Sequence, residues 1–111
     1  MKETEPMTTF DNREAAFENK FALDEELRFK ATARRNKLLG LWAAQRLGKS
    51  GADAEAYAKS VVLADFQEAG DEDVVRKVRG DLEGAGVLET DIRTQMNMLM
   101  AQAVKEIMEG R

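Results

Sequence analysis

The apolar residues of this chain recur at three- and four-residue intervals along most of its length, the spacing of one face of an α-helix. The repeat is clearest near the C-terminus, where Ile92, Met96, Leu99, Met100, Ala103, Val104 and Ile107 line one side behind Thr90, the expected N-cap. Core filling is the first use of the methionines there, and an adaptable groove the second. Upstream, Val74, Val75, Val78 and Leu82 predict a short inward-facing helix. Asp71 caps it, Glu72 and Asp73 sit in the first turn where the helix dipole favours acids, and Gly84-Ala85-Gly86 stops it.

Another helix is predicted between the Gly48-Lys49-Ser50-Gly51 turn and Gly70, with Tyr57, Ala58, Val61, Val62 and Phe66 on its apolar face. Ser50 and Asp53, spaced as in a capping box, compete for its N-cap. Asp65 lies beside that face and is expected to pair with an arginine of the first helix. The first helix itself starts near Asp24 and ends at Leu47, closed by Gly48. Its expected buried stripe is Leu27, Ala31, Leu38, Leu41 or Trp42, and Gln45. Asp24 with Arg28, and Glu26 with Lys30, are acid-then-base pairs four apart, each adding about 0.2–0.5 kcal/mol.

No Val-, Ile- or Thr-rich alternating run interrupts these patterns, and the single proline is Pro6. The predicted fold class is therefore all-α, a four-helix bundle over residues 21–111 preceded by a mobile arm over residues 1–20. Apolar residues are sparse in the arm, but Phe10 and Phe17 are seven apart and Phe21 follows four later, so the rings share one helical face. Two readings of the residues stay open: an extension of the first helix packed through its rings, or an arm that folds into a partner's groove with Phe anchors.

Composition narrows what such a bundle does. Of 111 residues, 34% are charged and only 24 are Leu, Ile, Val or Phe, just enough to keep a highly charged chain folded as one domain with a thin core. Without Cys or His there is no disulfide, thiol nucleophile, thiolate or imidazole metal ligand, or His general base. Acid sensing is left to carboxylates with raised pKa. No glycine-rich phosphate loop is present, and Asp71-Glu72-Asp73 puts Val75 where a calcium loop needs its third ligand. No catalytic constellation and no metal site are expected. Uncharged stretches fall well short of the roughly 20 residues that span a bilayer, so a cytoplasmic protein without membrane insertion is expected.

Charge is segregated. Residues 27–50 carry seven basic residues and no acid, whereas residues 53–73 carry seven acids against Lys59. Antiparallel helices bearing these segments attract each other as solvated faces of one fold, the first reading. A basic helix held for an anionic partner is the second. Nucleic acid is a poor match, because the net charge is −4 and only Trp42 and Tyr57 outside the phenylalanines offer rings for stacking.

The stretch Ala33-Arg34-Arg35-Asn36-Lys37-Leu38-Leu39-Gly40-Leu41-Trp42-Ala43-Ala44, the run opening Met7-Thr8-Thr9-Phe10-Asp11-Asn12-Arg13-Glu14, Ala54-Glu55-Ala56-Tyr57-Ala58-Lys59 and Gly70-Asp71-Glu72-Asp73-Val74 together resemble the zeta-subunit family of the alpha-proteobacterial F-type ATP synthase. The resemblance implies a four-helix bundle, a monomer when free, that inhibits ATP hydrolysis by the synthase and is not itself an enzyme. It also implies that the N-terminal region is mobile when free and enters the catalytic head at an interface between alpha and beta subunits beside the gamma rotor. Residues 8–20 map to that element, with Phe10 and Phe17 as apolar anchors and Thr9, Arg13, Glu14 and Lys20 as polar contacts. Such a location is peripheral to the inner membrane, through the synthase.

The family further implies weak binding of ADP or ATP without hydrolysis, and no required cofactor. By residue type, Arg34, Arg35 and Lys37 suit phosphate and Trp42 suits adenine. Two departures bear on this. Residues 1–6 precede the usual family start at Met7, so either translation begins upstream or the arm carries an additional leader that would obstruct deep insertion, and members differ in inhibitory strength. The alternatives are an ADP/ATP-sensing bundle that binds the synthase with little inhibition, and a basic-helix adaptor for another anionic partner.

Overall fold

Four helices follow one another in a computed structural model of the chain, which describes residues 25–66 and 70–110. They are α1 (Glu25–Arg46), α2 (Gly51–Ala64), α3 (Glu72–Asp81) and α4 (Glu89–Met108), with a 3₁₀ turn (Glu83–Ala85) after α3. Among the described residues there is no strand, and the fold is an all-α four-helix bundle. The arm, and with it the proposed boundary after residue 20, lies outside the described residues, as does the pairing of Asp24 with Arg28.

The chain divides into two units between Lys30 and Ala31, within α1. In the first, residues 25–30 open the helix, with Glu25 and Glu26 in the first turn and Lys30 Nζ 3.4 Å from Glu26 Oε2. The second unit holds the core. Leu39, Ala43, Val61, Val74, Val75, Val78, Leu82, Ile92 and Met96 form one buried cluster, with Trp42, Leu47, Tyr57, Val87 and Leu99 packed on it. Each Val, Leu, Ile or Met removed from water contributes roughly 1.5–3 kcal/mol, so these side chains hold the bundle together. The inward faces predicted for α3 and α4 are found: Val74, Val75, Val78, Leu82, Ile92, Met96 and Ala103 are buried, and Leu99, Met100, Val104 and Ile107 partly so.

The stripe expected on α1 is displaced. From Ala31 onward the buried residues are Ala31, Arg35, Asn36, Leu39, Gly40, Ala43 and Ala44, whereas Leu27, Leu38, Leu41 and Trp42 are only partly buried and Gln45 is exposed. At 100° per residue the buried set covers an arc of about 220°, centred about 130° from the expected stripe. α1 is enclosed on more than one side, and small residues let a neighbour approach there, so side-chain bulk does not mark the contact face. Gly40 is one such point of approach. A β-carbon built there would lie 2.5 Å from the Ala58 Cα of α2.

Three helix ends also differ from expectation. α2 stops at Ala64, one residue before Asp65, which takes the C-cap position, and leaves Phe66 beyond it and 60% exposed instead of on the apolar face. Ser50 takes the N-cap position of α2 with extended backbone, but its hydroxyl makes no cap hydrogen bond. The cap of α4 is Leu88, not Thr90. Asp91 Oδ2 accepts the Leu88 N–H at 3.0 Å, the backward half of a capping box, which starts the helix before Thr90. Val87 and Ile92 occupy the two positions of a hydrophobic staple around that cap, and Val87 packs on the cluster to which Ile92 belongs. The predicted end of α1 is found: Gly48 adopts φ 75°, Lys49 N–H donates to Ala44 O and Gly48 N–H to Gln45 O, the paired bonds of a Schellman motif.

Candidate functional site

The arm residues Thr9, Phe10, Arg13, Glu14, Phe17 and Lys20 lie outside the described residues. The residues picked by type for a nucleotide are all on α1, and helical geometry separates them. Arg34 Nη1 is 3.3 Å from Glu106 Oε1 of α4. Lys37 Nζ is 3.8 Å from Glu55 Oε1 of α2. Arg35 points inward to the start of α3, and Trp42 lies at the margin of the core. Lys37, Trp42 and Arg35 each border a different cleft. The fold does not bring the four together.

Arg35 is 3% exposed and stands at the centre of a buried polar node. Its Nε and Nη2 donate to Asn36 Oδ1 at 3.0 and 2.8 Å, and Nη2 also donates to Asp71 Oδ1 at 2.9 Å. Asp71 occupies the N-cap position of α3, as predicted, but its carboxylate makes no cap bond and turns to Arg35 instead. A charge of this depth is stable only when paired, since an unpaired buried ion costs several kcal/mol. Asp65, at the C-terminal end of α2, lies in the field of the same guanidinium but is hydrogen-bonded by the Asn36 side chain, and the expected ion pair with an arginine of α1 is not formed among the described residues. Burial lifts its carboxyl above the usual carboxylate range, Asp71 and Asp73 push the same way, and Arg35 and Asn36 oppose them. Asp73 is also buried; its Oδ1 accepts from Arg76 Nη1 at 2.9 Å.

The cleft beside Trp42 encloses about 310 Å³ and is lined by Trp42, Arg46, Val87, Asp91, Thr94 and Gln95. Arg46 Cζ stands 4.6 Å from the centroid of the Trp42 ring, a cation–π stack. Sequence reading passed over Arg46 as a site residue, although a Trp and an Arg four apart share a helix face. Asn36 and Asp73 were missed as well; nothing in a polar residue's own neighbourhood in sequence marks it as buried.

A second polar assembly closes α3 against α4. Arg93 Nε donates to Glu89 Oε2 at 2.9 Å and Nη2 to Glu72 Oε1 at 3.0 Å, while Arg79 Nη1 donates to Glu89 Oε1 at 2.9 Å. The Arg93 hydrogen bond foremost, and Arg79 with it, hold the Glu89 carboxyl below the usual range. Among the described residues no group of three or more acidic side chains is placed to hold a metal ion, and no helix is long and apolar enough to cross a membrane.

The described residues thus define an all-α bundle in which Arg34, Arg35, Lys37 and Arg93 pair with carboxylates of neighbouring helices and whose clefts have mixed charged and apolar linings. The chain belongs to the ATPase inhibitor subunit zeta family, whose sequence profile matches residues 7–106. A protein solved by solution NMR is 55% identical to it, the match covering 77% of this chain and 99% of that one with a TM-score of 0.71. No curated protein matches the chain.

Proposed function

We propose that the chain restrains ATP hydrolysis by an F-type ATP synthase, with residues 1–20 as the inhibitory arm and the bundle as its anchor. The arm enters the catalytic head at an alpha/beta interface beside the gamma rotor, Phe10 and Phe17 bury their rings there, and Thr9, Arg13, Glu14 and Lys20 make the polar contacts. The observation that carries this reading is the family match, which starts at residue 7, runs through the arm and continues to residue 106 of the bundle. Ordering an arm in a cleft costs about 2–5 kcal/mol. Two buried Phe rings, each contributing roughly 1.5–3 kcal/mol, offset that, and charged contacts add to them. Wedged there, the arm blocks the conformational cycle of the beta subunit in the hydrolytic direction, and synthesis expels it. The protein is regulatory, acts without a cofactor as a monomer when free, and lies in the cytoplasm against the inner membrane through the synthase.

ATP hydrolysis by a purified alpha-proteobacterial synthase tests this, with the whole chain and a version lacking residues 1–20 added in parallel. Inhibition by the whole chain alone is expected. Equal inhibition by both, or none by either, overturns the arm mechanism.

One observation favours a second, compatible role. The Trp42 cleft offers a ring for an adenine and the Arg46 guanidinium for a phosphate. In this reading ADP or ATP binds weakly to the bundle there, while Arg34, Arg35 and Lys37 serve the fold. Trp42 fluorescence is expected to change on ADP addition and Arg46→Ala to weaken the response; an unchanged spectrum with ADP rejects the site.

A further inference from the structure

A guanidinium carries five N–H groups, and three of those on Arg35 are used inside the node. Nε donates to Asn36 Oδ1, and Nη2 donates to Asn36 Oδ1 and to Asp71 Oδ1. Among the described residues no hydrogen bond uses Nη1, and no atom of Arg35 is among the fully buried ones that lack a partner, so Nη1 still touches solvent. Arg93 of α4 repeats the pattern. Its Nε donates to Glu89 and its Nη2 to both oxygens of Glu72, which leaves Nη1 unused. The two arginines border one cleft of about 320 Å³, lined also by Asp71, Met96, Asn97 and Met100.

The acids around this cleft are paired, Asp71 with Arg35 and both Glu72 and Glu89 with Arg93, whereas one edge of each guanidinium is open. A hydrogen bond from a cation to an anionic oxygen is about twice as strong as a neutral one, and the burial of Arg35 lowers the screening around its free edge. The half-exposed Asp71 carboxylate borders the same cleft and opposes a second negative charge there, which favours a monoanion over phosphate. Met96 is buried and Met100 partly so, and their thioethers form an apolar wall that adapts to the shape it meets. The volume lies at the small end of the roughly 300–1,000 Å³ of small-molecule sites.

We propose that the cleft between α1, α3 and α4 binds a small organic monocarboxylate, with the carboxylate on the open Nη1 edges of Arg35 and Arg93 and the apolar body against Met96 and Met100. The site shares no lining residue with the Trp42 cleft and does not depend on the inhibitory reading above. Recognition is then divided in two. The guanidiniums select for one negative charge, and the methionines select for the carbon chain attached to it.

Titration of the full chain with butyrate at constant pH and ionic strength tests the site, followed by NMR of the Asn97 side-chain amide and the Met96 and Met100 methyl groups. Saturable shifts at these three residues are expected, with half-saturation on the order of 1–10 mM for so small a ligand. Acetate, two methylenes shorter, is expected to bind about tenfold more weakly. Butyramide keeps the chain but not the charge and is expected to be weaker than butyrate by about tenfold or more. Arg93 holds only surface acids, so Arg93→Gln keeps the fold and is expected to weaken butyrate by about threefold or more. Met100→Ala is expected to shrink the difference between butyrate and acetate. The proposal is overturned by shifts that do not saturate, by butyramide binding as well as butyrate, by phosphate binding more tightly than butyrate, or by Arg93→Gln binding butyrate as wild type does.

Discussion

Two glycine-to-alanine substitutions in this fold carry opposite expected signs. Gly40 lies in the interior of α1 and Gly80 in the last turn of α3. Replacing a helical glycine by alanine stabilises by about 0.4–1 kcal/mol when the added methyl has room. At Gly80 nothing lies within 4 Å of the new β-carbon, so Gly80→Ala is expected to gain that amount. At Gly40 the new carbon meets Ala58 Cα at 2.5 Å, Ala58 Cβ at 3.0 Å and Ala58 O at 3.3 Å, where carbon atoms ordinarily rest about 3.5–4.0 Å apart. The obstacle is mainly backbone, so no rotamer change relieves it and α1 and α2 must separate by about 1 Å at their closest point. Overpacking of this kind costs about 1–3 kcal/mol, and the helix gain offsets less than half of the upper figure. The expected net effect is a loss of about 1 kcal/mol and at most about 2.5, or a Tm lower by roughly 4–10 °C in a chain of this size. Urea unfolding followed by far-ultraviolet circular dichroism and by Trp42 fluorescence measures it. Adding Ala58→Gly removes the methyl of residue 58 but leaves its backbone in the way, so the double variant is expected to recover only part of the loss. A Gly40→Ala protein as stable as wild type, beside a stabilised Gly80→Ala, would refute a close crossing of α1 and α2.

Three further outcomes are expected. Leu39→Ala empties a fully buried site at the centre of the cluster and should lower unfolding free energy by about 2–5 kcal/mol in the same urea assay. Asp91→Ala removes the acceptor of the Leu88 N–H and should cost about 0.5–1 kcal/mol, with faster amide exchange confined to the first turn of α4. Tyr57, whose hydroxyl donates to Asp81 Oδ2 at 2.8 Å, is held well above the usual tyrosine range by burial first and by Asp81 second. Because its native pKa is the higher one, its contribution is complete below the unfolded value of about 10 and is lost as pH rises beyond it, so ultraviolet titration should find the chain's single tyrosine still protonated where the free amino acid has ionised, and Tyr57→Phe should lose stability less steeply in alkali.

What was legible in the sequence depended on how many neighbours each helix has. α3 and α4 turn one face to the cluster, so large side chains at Val74, Val78, Ile92 and Met96 marked that face directly. α1 is covered over a wide arc, and the residues that let its neighbours in are Gly40, Ala43 and Ala44, beside the polar pair Arg35 and Asn36. Hydropathy ranks all of these below Leu38 and Leu41, which are more exposed. The complementary charge of residues 27–50 and 53–73 is realised in contacts such as Lys37 with Glu55 and Arg35 with Asp71. Adjacency in sequence misled in the same way. Arg34, Arg35 and Lys37 read as one basic patch, but steps of 100° send them to α4, α3 and α2.

The split between an apolar cluster and a polar node has consequences for how the bundle comes apart. Gly40 and Leu39 are neighbours on α1, one at the seam with α2 and the other in the cluster shared by all four helices, so damage at either weakens every helix together. Arg35 sits one turn earlier and donates to Asn36 beside it and to Asp71 at the start of α3, where hydrogen bonds replace aliphatic packing. Loss of the Arg35 bonds is therefore expected to open the start of α3 first, while the cluster of Leu39, Val61, Val78 and Ile92 keeps the four helices assembled.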